Sequence, residues 1–410
     1  MGCVSDPPEA SAPADTDAAD GSTGDVAEGA TYYRDALPIF ARVCNGCHQP
    51  DAVAPFDLTD ADVAAAWAEA IVTTTQARAM PPASIDASGA CGTFADTPWL
   101  TDAELETLQQ WADAGAPAGD PNDAPDDLGT STSNLATVTH AVHMDAAYTP
   151  TPGGDDDYRC FVLDAPADED LVVTAYRIQP GQPRIVHHVI LFASTTPESD
   201  AQAIALDAED ETPGYPCFGA AGIDDFGFVA GWAPGTGATE FPAGTGIALE
   251  GGRKLIMQVH YFPDVEPLAD QTFVELTMTE TVLAEAQVLP MADLELSLPP
   301  GSDAVTTTVE IENEREAPVV LRGIYPHMHK LGRTLRVERL TPEPTCLIDV
   351  PRWDFDFQRF YFFAEPMVAM PGDRFRLTCN YDTSQRTEAV EWGEGTEDEM
   401  CLAGFYFTDA

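Results

Sequence analysis

The sequence predicts a multidomain chain, with a small all-α unit followed by two all-β sandwich domains. Three observations carry this reading. At 410 residues the chain is too long for one ordinary domain. Residues 30–118 show helix caps and apolar positions at helical spacing. From residue 136 onward, short β-branched and aromatic runs alternate with Pro, Gly and Asp turns. Apolar residues make up 44% of the chain, enough to bury real cores, and no apolar run approaches the length of a membrane span. The 19 basic residues against 69 acidic ones leave a net charge of −50, which repels nucleic acid and anionic membranes. No nucleic-acid partner is expected.

Residues 1–29 are acidic, rich in Pro, Ala, Gly and Ser, and lack basic residues, the composition of a disordered tether. Cys3, after Gly2, resembles the end of a bacterial lipoprotein signal and makes a lipid anchor at Cys3 one expectation. An arbitrary start with an incidental cysteine explains the same residues. The myristoylation pattern fails because position 6 is Asp.

The unit at 30–118 opens with an aromatic-rich segment, Tyr32 to Val43, leading into Cys44-Asn45-Gly46-Cys47-His48. This is the attachment signature of a c-type haem. Two thiols at i and i+3, with His one residue later, suit two thioethers and one axial nitrogen on a single porphyrin. Met80, in Arg78-Ala79-Met80-Pro81-Pro82, is the expected sixth ligand, and a thioether there raises the reduction potential. Thr59-Asp60-Ala61-Asp62 starts an Ala-rich helical run through Trp67. Thr101 and Glu104 form a capping box, with Leu105, Leu108 and Trp111 on one face before Gly115. A redox dithiol or half a zinc site would also use paired cysteines. No second CxxC exists to complete a zinc site, and no βαβ pattern surrounds the motif. The whole segment is similar to small cytochrome c domains, which implies one covalent haem c. Residues 119–135 (GDPNDAPDDLGTSTSNL) form a polar linker.

The remaining residues divide into sandwiches at 136–285 and 286–410, through runs such as RIVHHVILF, KLIMQVHYF, PVVLRGIYPHMH and DRFRLTCNY. Five of the eight histidines cluster here: His187 and His188, His260, and His327 with His329. A lone strand histidine is usually structural, but the joint pattern points to metal. His327 and His329 share a strand face by alternation, with Met328 turned away. Adjacent His187 and His188 face opposite sides of an ideal strand, so a shared metal requires a twist or bulge between them. Three imidazoles suit copper in either oxidation state, whereas two imidazoles and a thioether favour Cu(I). Met400, in Glu397-Asp398-Glu399-Met400-Cys401, offers the thioether.

Six motifs in order over residues 155–408 carry a resemblance: Tyr158-x-Cys160, Val186-His187-His188, Gly-Tyr-Pro-Cys217, Gly231-Trp232-Ala233-Pro234-Gly235 ahead of Gln258-Val259-His260-Tyr261, His327-x-His329-x-Leu331-Gly332, and Asp398-Glu399-Met400-Cys401. Together they resemble the copper type II, ascorbate-dependent monooxygenases, which include peptidylglycine α-hydroxylating and dopamine β-monooxygenases. The resemblance implies two coppers per chain, on separate jelly-roll-like domains facing across an open cleft. His187, His188 and His260 would bind the electron-supplying copper; His327, His329 and Met400 would bind the one that meets oxygen and substrate. It also implies disulfides Cys160–Cys217 and Cys379–Cys401. Cys91 and Cys346 remain, either paired across domains or free.

The departures are informative. Peptide-processing members hold the substrate carboxylate with an arginine two residues before the first His of HxH; here that residue is Tyr325. Leu402 and Gly404 replace polar residues after the Met-Cys pair. An anionic peptide terminus loses its fork-shaped partner, so a less polar substrate is expected. His140 and His143 read as incidental. The tract 349–357 reads first as strand and turn, with a cleft-lining role as its alternative.

The expected function is hydroxylation of a C–H bond of a small organic substrate with O2. Electrons would come from an external donor, either an ascorbate-like reductant or a redox protein. They would pass through the haem to the His187/His188/His260 copper and on to the second copper. The alternative is a copper and haem electron-transfer or binding protein that hydroxylates nothing. A copper store would carry Met- and His-rich repeats, which this chain lacks. Haem attachment and an even number of further cysteines place the chain in the periplasm, outside the cell or on the cell envelope, as a lipoprotein if Cys3 is acylated.

Overall fold

The structure, a computed structural model, describes residues 29–410 apart from 51–53, 83–84, 87, 96–98, 127–133, 234–235 and 356. The tether with Cys3, the middle of the linker, and Pro234, Gly235 and Asp356 of two motifs lie outside the described residues.

Short polar caps set the helices of the first unit. The Asp60 side chain accepts from the N–H groups of Asp62 and Val63 and opens helix Ala61–Ala66. The helical run breaks at Trp67 and resumes as Ala68–Gln76. Thr101 and Glu104 form the reciprocal capping box that opens helix Asp102–Asp113. Gly115 ends it at φ +84°, a left-handed conformation that only glycine adopts freely. Leu105, Leu108 and Trp111 from this helix meet Tyr32, Ile39 and Phe40, around helix Leu37–Val43, in one apolar cluster.

In the β part, five antiparallel strands form one sheet in the order Tyr215–Pro216, Asp157–Asp164, Lys254–Tyr261, Val186–Ser194 and Phe226–Trp232. Its apolar face, including Val189, Leu191, Met257 and Val259, packs against Val173, Ile178, Val274 and Leu276 of a second sheet. That second sheet has nine strands and runs through both halves of the β part. Strand Ala284–Ala292 is the seam. It pairs in parallel with Thr245–Leu249 on one edge and antiparallel with Leu402–Asp409 on the other. The expected boundary at 285/286 therefore falls inside a strand that serves both halves. A strand has hydrogen-bonding groups along both edges, and turn punctuation does not say what each edge meets. Leu402–Asp409 then pairs with Val319–His327, which pairs with Tyr361–Ala369. A four-stranded sheet, Val305–Glu312, Arg374–Tyr381, Gly332–Arg339 and Thr345–Val350, covers this end around a second core containing Leu335, Val337, Ile348 and Leu377.

Residues 85–86 and 88–95, which the sequence groups with the helical unit, lie instead against that second core. Ile85 is buried among its side chains. The Asp86 N–H donates to the Asp349 carbonyl at 2.8 Å. Ala95 N–H donates to Phe362 O, and Ala364 N–H to Thr93 O, so this stretch covers the open edge of strand Tyr361–Ala369. Cys91 is bonded to Cys346, which settles the pair left open above. Gly92, at φ +80°, lies where a Cβ would stand 2.5 Å from the Leu347 carbonyl. Cys160 is bonded to Cys217 and Cys379 to Cys401.

Candidate metal centres

The first cluster exists because strand Val186–Ser194 bulges. Val186 pairs with Tyr261 and His188 with His260, leaving His187 as the extra residue. A bulge of this kind re-aims a side chain, and here it brings both adjacent rings to one side. The Nδ1 atoms of His187, His188 and His260 form a triangle with edges of 3.4, 3.1 and 3.3 Å. The centre of such a triangle lies about 1.9 Å from each corner, close to the ~2.0–2.1 Å of a metal–imidazole bond. Three ring nitrogens this close cannot all be donors to one another, and a cation held between them would take up their lone pairs.

The surroundings orient these rings. Tyr158, on the neighbouring strand opposite His260, stacks on it with centroids 4.0 Å apart and planes at 12°. His260 Nε2 has no hydrogen-bond partner and stands 3.5 Å from Asp156 Oδ2, an acidic group behind a ligand. Burial pushes the Asp156 carboxyl up, but His260 and Thr396 outweigh that and hold it well below the usual carboxylate range. Burial, and then the neighbouring His260, lowers His187 to about 3 and holds His188 well below the ordinary imidazole value. The His187 and His188 rings are therefore neutral near pH 7, the form that binds metal.

The second cluster forms at the end of strand Val319–His327. His327 closes the strand and His329 follows it, their rings 5.1 Å apart and edge-on, while Met328 turns into the core. Gln358 donates through Nε2 to the Phe355 carbonyl, so its Oε1 accepts from His327 Nδ1 at 2.6 Å. His329 Nδ1 donates to the Asp398 carbonyl at 3.0 Å. Both rings thus carry their proton on Nδ1 and leave Nε2 open. Glu399 Oε2 accepts from the backbone N–H groups of His329 and Met400, which holds Met400, itself buried, beside His329. Burial pushes Glu399 up to about 7 against the backbone N–H groups it accepts from. Burial, and then His329, lowers His327 to about 3; burial lowers His329 to about 4.

The two clusters are one aromatic ring apart. Phe355 stacks on His187 at 4.8 Å and 25°, and meets His329 at 5.9 Å and 75°. The resemblance implied an open cleft; here a side chain from the 349–357 tract stands in it. Residues 394–396 clamp the halves together on the other side. Thr396 N–H donates to Asp156 at 2.8 Å, Gly219 N–H to the Glu394 carboxylate at 2.7 Å, and the Tyr158 hydroxyl to the Glu394 carbonyl. Tyr325 lies beside Phe360, ring centroids 5.2 Å apart, with its hydroxyl 3.4 Å from Gln358 Oε1. His140 and His143 take no part; His143 stacks on Phe273.

In the helical unit, Cys44 and Cys47 are unbonded and both half-buried. Cys47 and His48 donate their N–H groups to the Cys44 carbonyl, turning the chain tightly after helix Leu37–Val43. Burial, and then Cys47, pushes the Cys44 thiol up to about 12, and burial also raises Cys47. A redox dithiol needs the opposite shift. His48 Nδ1 donates to the Phe56 carbonyl at 3.2 Å, leaving Nε2 open. Phe56 lies between His48 and Trp67, stacked on the latter at 4.3 Å. Trp67 and Met80 are each 42% exposed, large apolar groups that a flat apolar macrocycle would cover. Met80 sits in the turn after helix Ala68–Gln76, its N–H on the Thr74 carbonyl. These residues fit a covalently attached haem.

Gln358 and Asp156 escaped the sequence reading. Nothing in the composition around Gln358 marks it, and Asp156 is one of three successive aspartates.

Residues 141–265 match the N-terminal domain of the copper type II ascorbate-dependent monooxygenases, and residues 284–409 match the C-terminal domain. DBH-like monooxygenase protein 1 of Gallus gallus is 26% identical over 281 residues, 62% of this chain and 44% of that protein. Peptidyl-glycine alpha-amidating monooxygenase A of Xenopus laevis is 27% identical over 270 residues, 63% of this chain and 27% of that one. Tyramine beta-hydroxylase of Caenorhabditis briggsae is 23% identical over 283 residues, 64% of this chain and 47% of that one. The chain thus spans less than half the length of these relatives. Two matched domains in order, each carrying one of the histidine clusters, assign the chain to the copper type II ascorbate-dependent monooxygenase family.

Proposed function

We propose that the chain is a copper-dependent monooxygenase that hydroxylates a C–H bond of a small organic substrate, with electrons arriving through its own covalent haem c. The observation that carries this is the triangle of three Nδ1 atoms, sized for a metal ion and one aromatic ring from a second histidine pair. Bound copper supplies the one-electron chemistry that dioxygen needs. The balance is one C–H bond, O2, two electrons and two protons going to an alcohol and water.

The chain's part is to hold and orient. His187, His188 and His260 present Nδ1, and the bulge keeps them on one side. His327 and His329 present Nε2 because Gln358 and the Asp398 carbonyl take their Nδ1 protons. Met400 adds a thioether, which favours Cu(I). Phe355, Phe360 and Tyr325 line the region with aromatic rings where an arginine would have fixed a carboxylate, so the substrate is of low charge. Cys44, Cys47, His48 and Met80 hold the haem, and an ascorbate-like reductant or redox protein supplies it. Three disulfides suit an oxidising compartment such as the cell envelope.

Purified holo-protein should carry one haem and two coppers per chain. Met400→Ile should abolish oxygen-dependent product formation while haem reduction stays intact. Unimpaired turnover in that variant would remove the catalytic reading. The ring of Phe355 in the cleft favours the second reading, an electron-transfer protein that hydroxylates nothing. Oxygen uptake coupled to an organic product separates the two.

A further inference from the structure

Residues 352–355 touch all three candidate cofactor sites. The Arg352 guanidinium reaches the carbonyls of Arg78 and Ala79, each at 3.4 Å, in the turn that carries Met80. The Trp353 indole N–H donates to the His329 carbonyl at 3.0 Å, and its ring stands edge-on to His327 at 6.5 Å. Phe355 lies between His187 and His329. The Cys91–Cys346 bond, and residues 93–95 laid along strand Tyr361–Ala369, keep the helical unit against this strap. Among the described residues, these contacts join the helical unit to the C-terminal half.

We propose that residues 352–355 are the electron path between the haem-binding unit and both histidine clusters, entering on the His327/His329 side and crossing to His187 through Phe355. This reverses the order expected from the sequence, in which the His187 cluster receives electrons first. The inference rests on the haem and copper reading above. Each transfer takes one electron from Fe(II) to Cu(II), giving Fe(III) and Cu(I), with no bond made or broken. Electron transfer weakens steeply across empty space, and a hydrogen-bonded indole followed by a stacked ring leaves little gap to cross. Trp353 also positions His329 through its backbone carbonyl.

The test uses full-length holo-protein, oxidised and anaerobic, given a pulse of substoichiometric ascorbate. Haem absorbance is followed in time, and Cu(II) by freeze-quench electron paramagnetic resonance. In Trp353→Phe, which keeps a ring but loses the N–H, decay of the reduced haem should slow by an order of magnitude or more. In Phe355→Leu, copper reduction should become biphasic, with the part of the Cu(II) loss that falls on the His187 cluster delayed, and Phe355→Tyr should restore the parent course. Haem content, copper content and haem potential should be unchanged in all three. Parent kinetics in both Trp353→Phe and Phe355→Leu at full cofactor content would overturn the path and leave the haem reading standing. Absence of covalent haem from the parent protein, by pyridine haemochrome, would instead sink the haem reading and the path with it. Should Phe355→Leu fold poorly, parent-like haem decay in Trp353→Phe at full cofactor content overturns the path by itself.

Discussion

One extra residue decides whether the first cluster forms. Without the bulge at His187, strand alternation would send His187 and His188 to opposite faces and the Nδ1 triangle would open. Behind the triangle, Asp156 faces His260 and also takes the Thr396 N–H. Loss of such a partner typically weakens metal binding about 10–100-fold. Asp156→Asn should therefore lower copper affinity by that order in a chelator-competition titration, with the haem spectrum unchanged. Arg159 poses a different residue-scale problem, a buried guanidinium paired with Asp210 at 2.9 Å. The Thr212 backbone N–H and hydroxyl, and then Arg159, hold Asp210 at about 2, below its ordinary 3.8. A depressed carboxylate contributes stability that is complete above its ordinary value and is lost as pH falls toward the folded one. The melting temperature of Asp210→Asn should lie below the parent's near neutral pH, and the two should converge as the pH approaches 2. A gap that persists at the acid end would show that the charge is not what matters.

At the scale of elements, the stretch 85–95 matters more than any single helix. It carries Ile85 into the second core, covers the edge of strand Tyr361–Ala369 and ends the freedom of the helical unit through Cys91. A bond closing a loop this long constrains the unfolded chain strongly, and removing a native disulfide costs about 2–5 kcal/mol. Replacing both cysteines, Cys91→Ser with Cys346→Ser, should lower the melting temperature. It should also speed hydrogen exchange in residues 85–95 more than in strand Lys254–Tyr261. Equal protection in both places would mean that backbone pairing alone docks the stretch. The helices themselves follow local rules: the run expected to start at residues 59–62 opens on an Asp60 cap, and the Thr101/Glu104 box lies where the sequence reading puts it.

The whole molecule is organised by its nine-stranded sheet. Strand Ala284–Ala292 joins the halves by parallel pairing to Thr245–Leu249, at a place where Gly246 has no room for a side chain against the Val173 carbonyl. Residues 360, 362 and 406 of the C-terminal half belong to the first core. Fragments 136–285 and 286–410, expressed apart, should each expose unpaired strand edges and apolar surface and so aggregate, whereas 136–410 together should stay in solution. Light scattering of the three fragments checks this. Two well-behaved monomeric halves would mean that the seam contributes little.

Much of this protein is written in short range. The CNGCH turn, the helix caps, the HxH alternation and the paired histidines all depend on neighbours in sequence, and local sterics and hydrogen bonding act over just that distance. Six weak motifs in one order were enough to point to the family. What sequence could not supply depends on contacts between distant residues. The bulge at His187 is visible only against its partner strand, and Gln358 matters only because it faces His327 across 31 positions of chain. The pairing of Cys91 with Cys346, the seam through residue 286 and the ring of Phe355 between two clusters are of the same kind. Strand edges and aromatic faces accept many partners at similar cost, so only the packing of the whole chain selects among them.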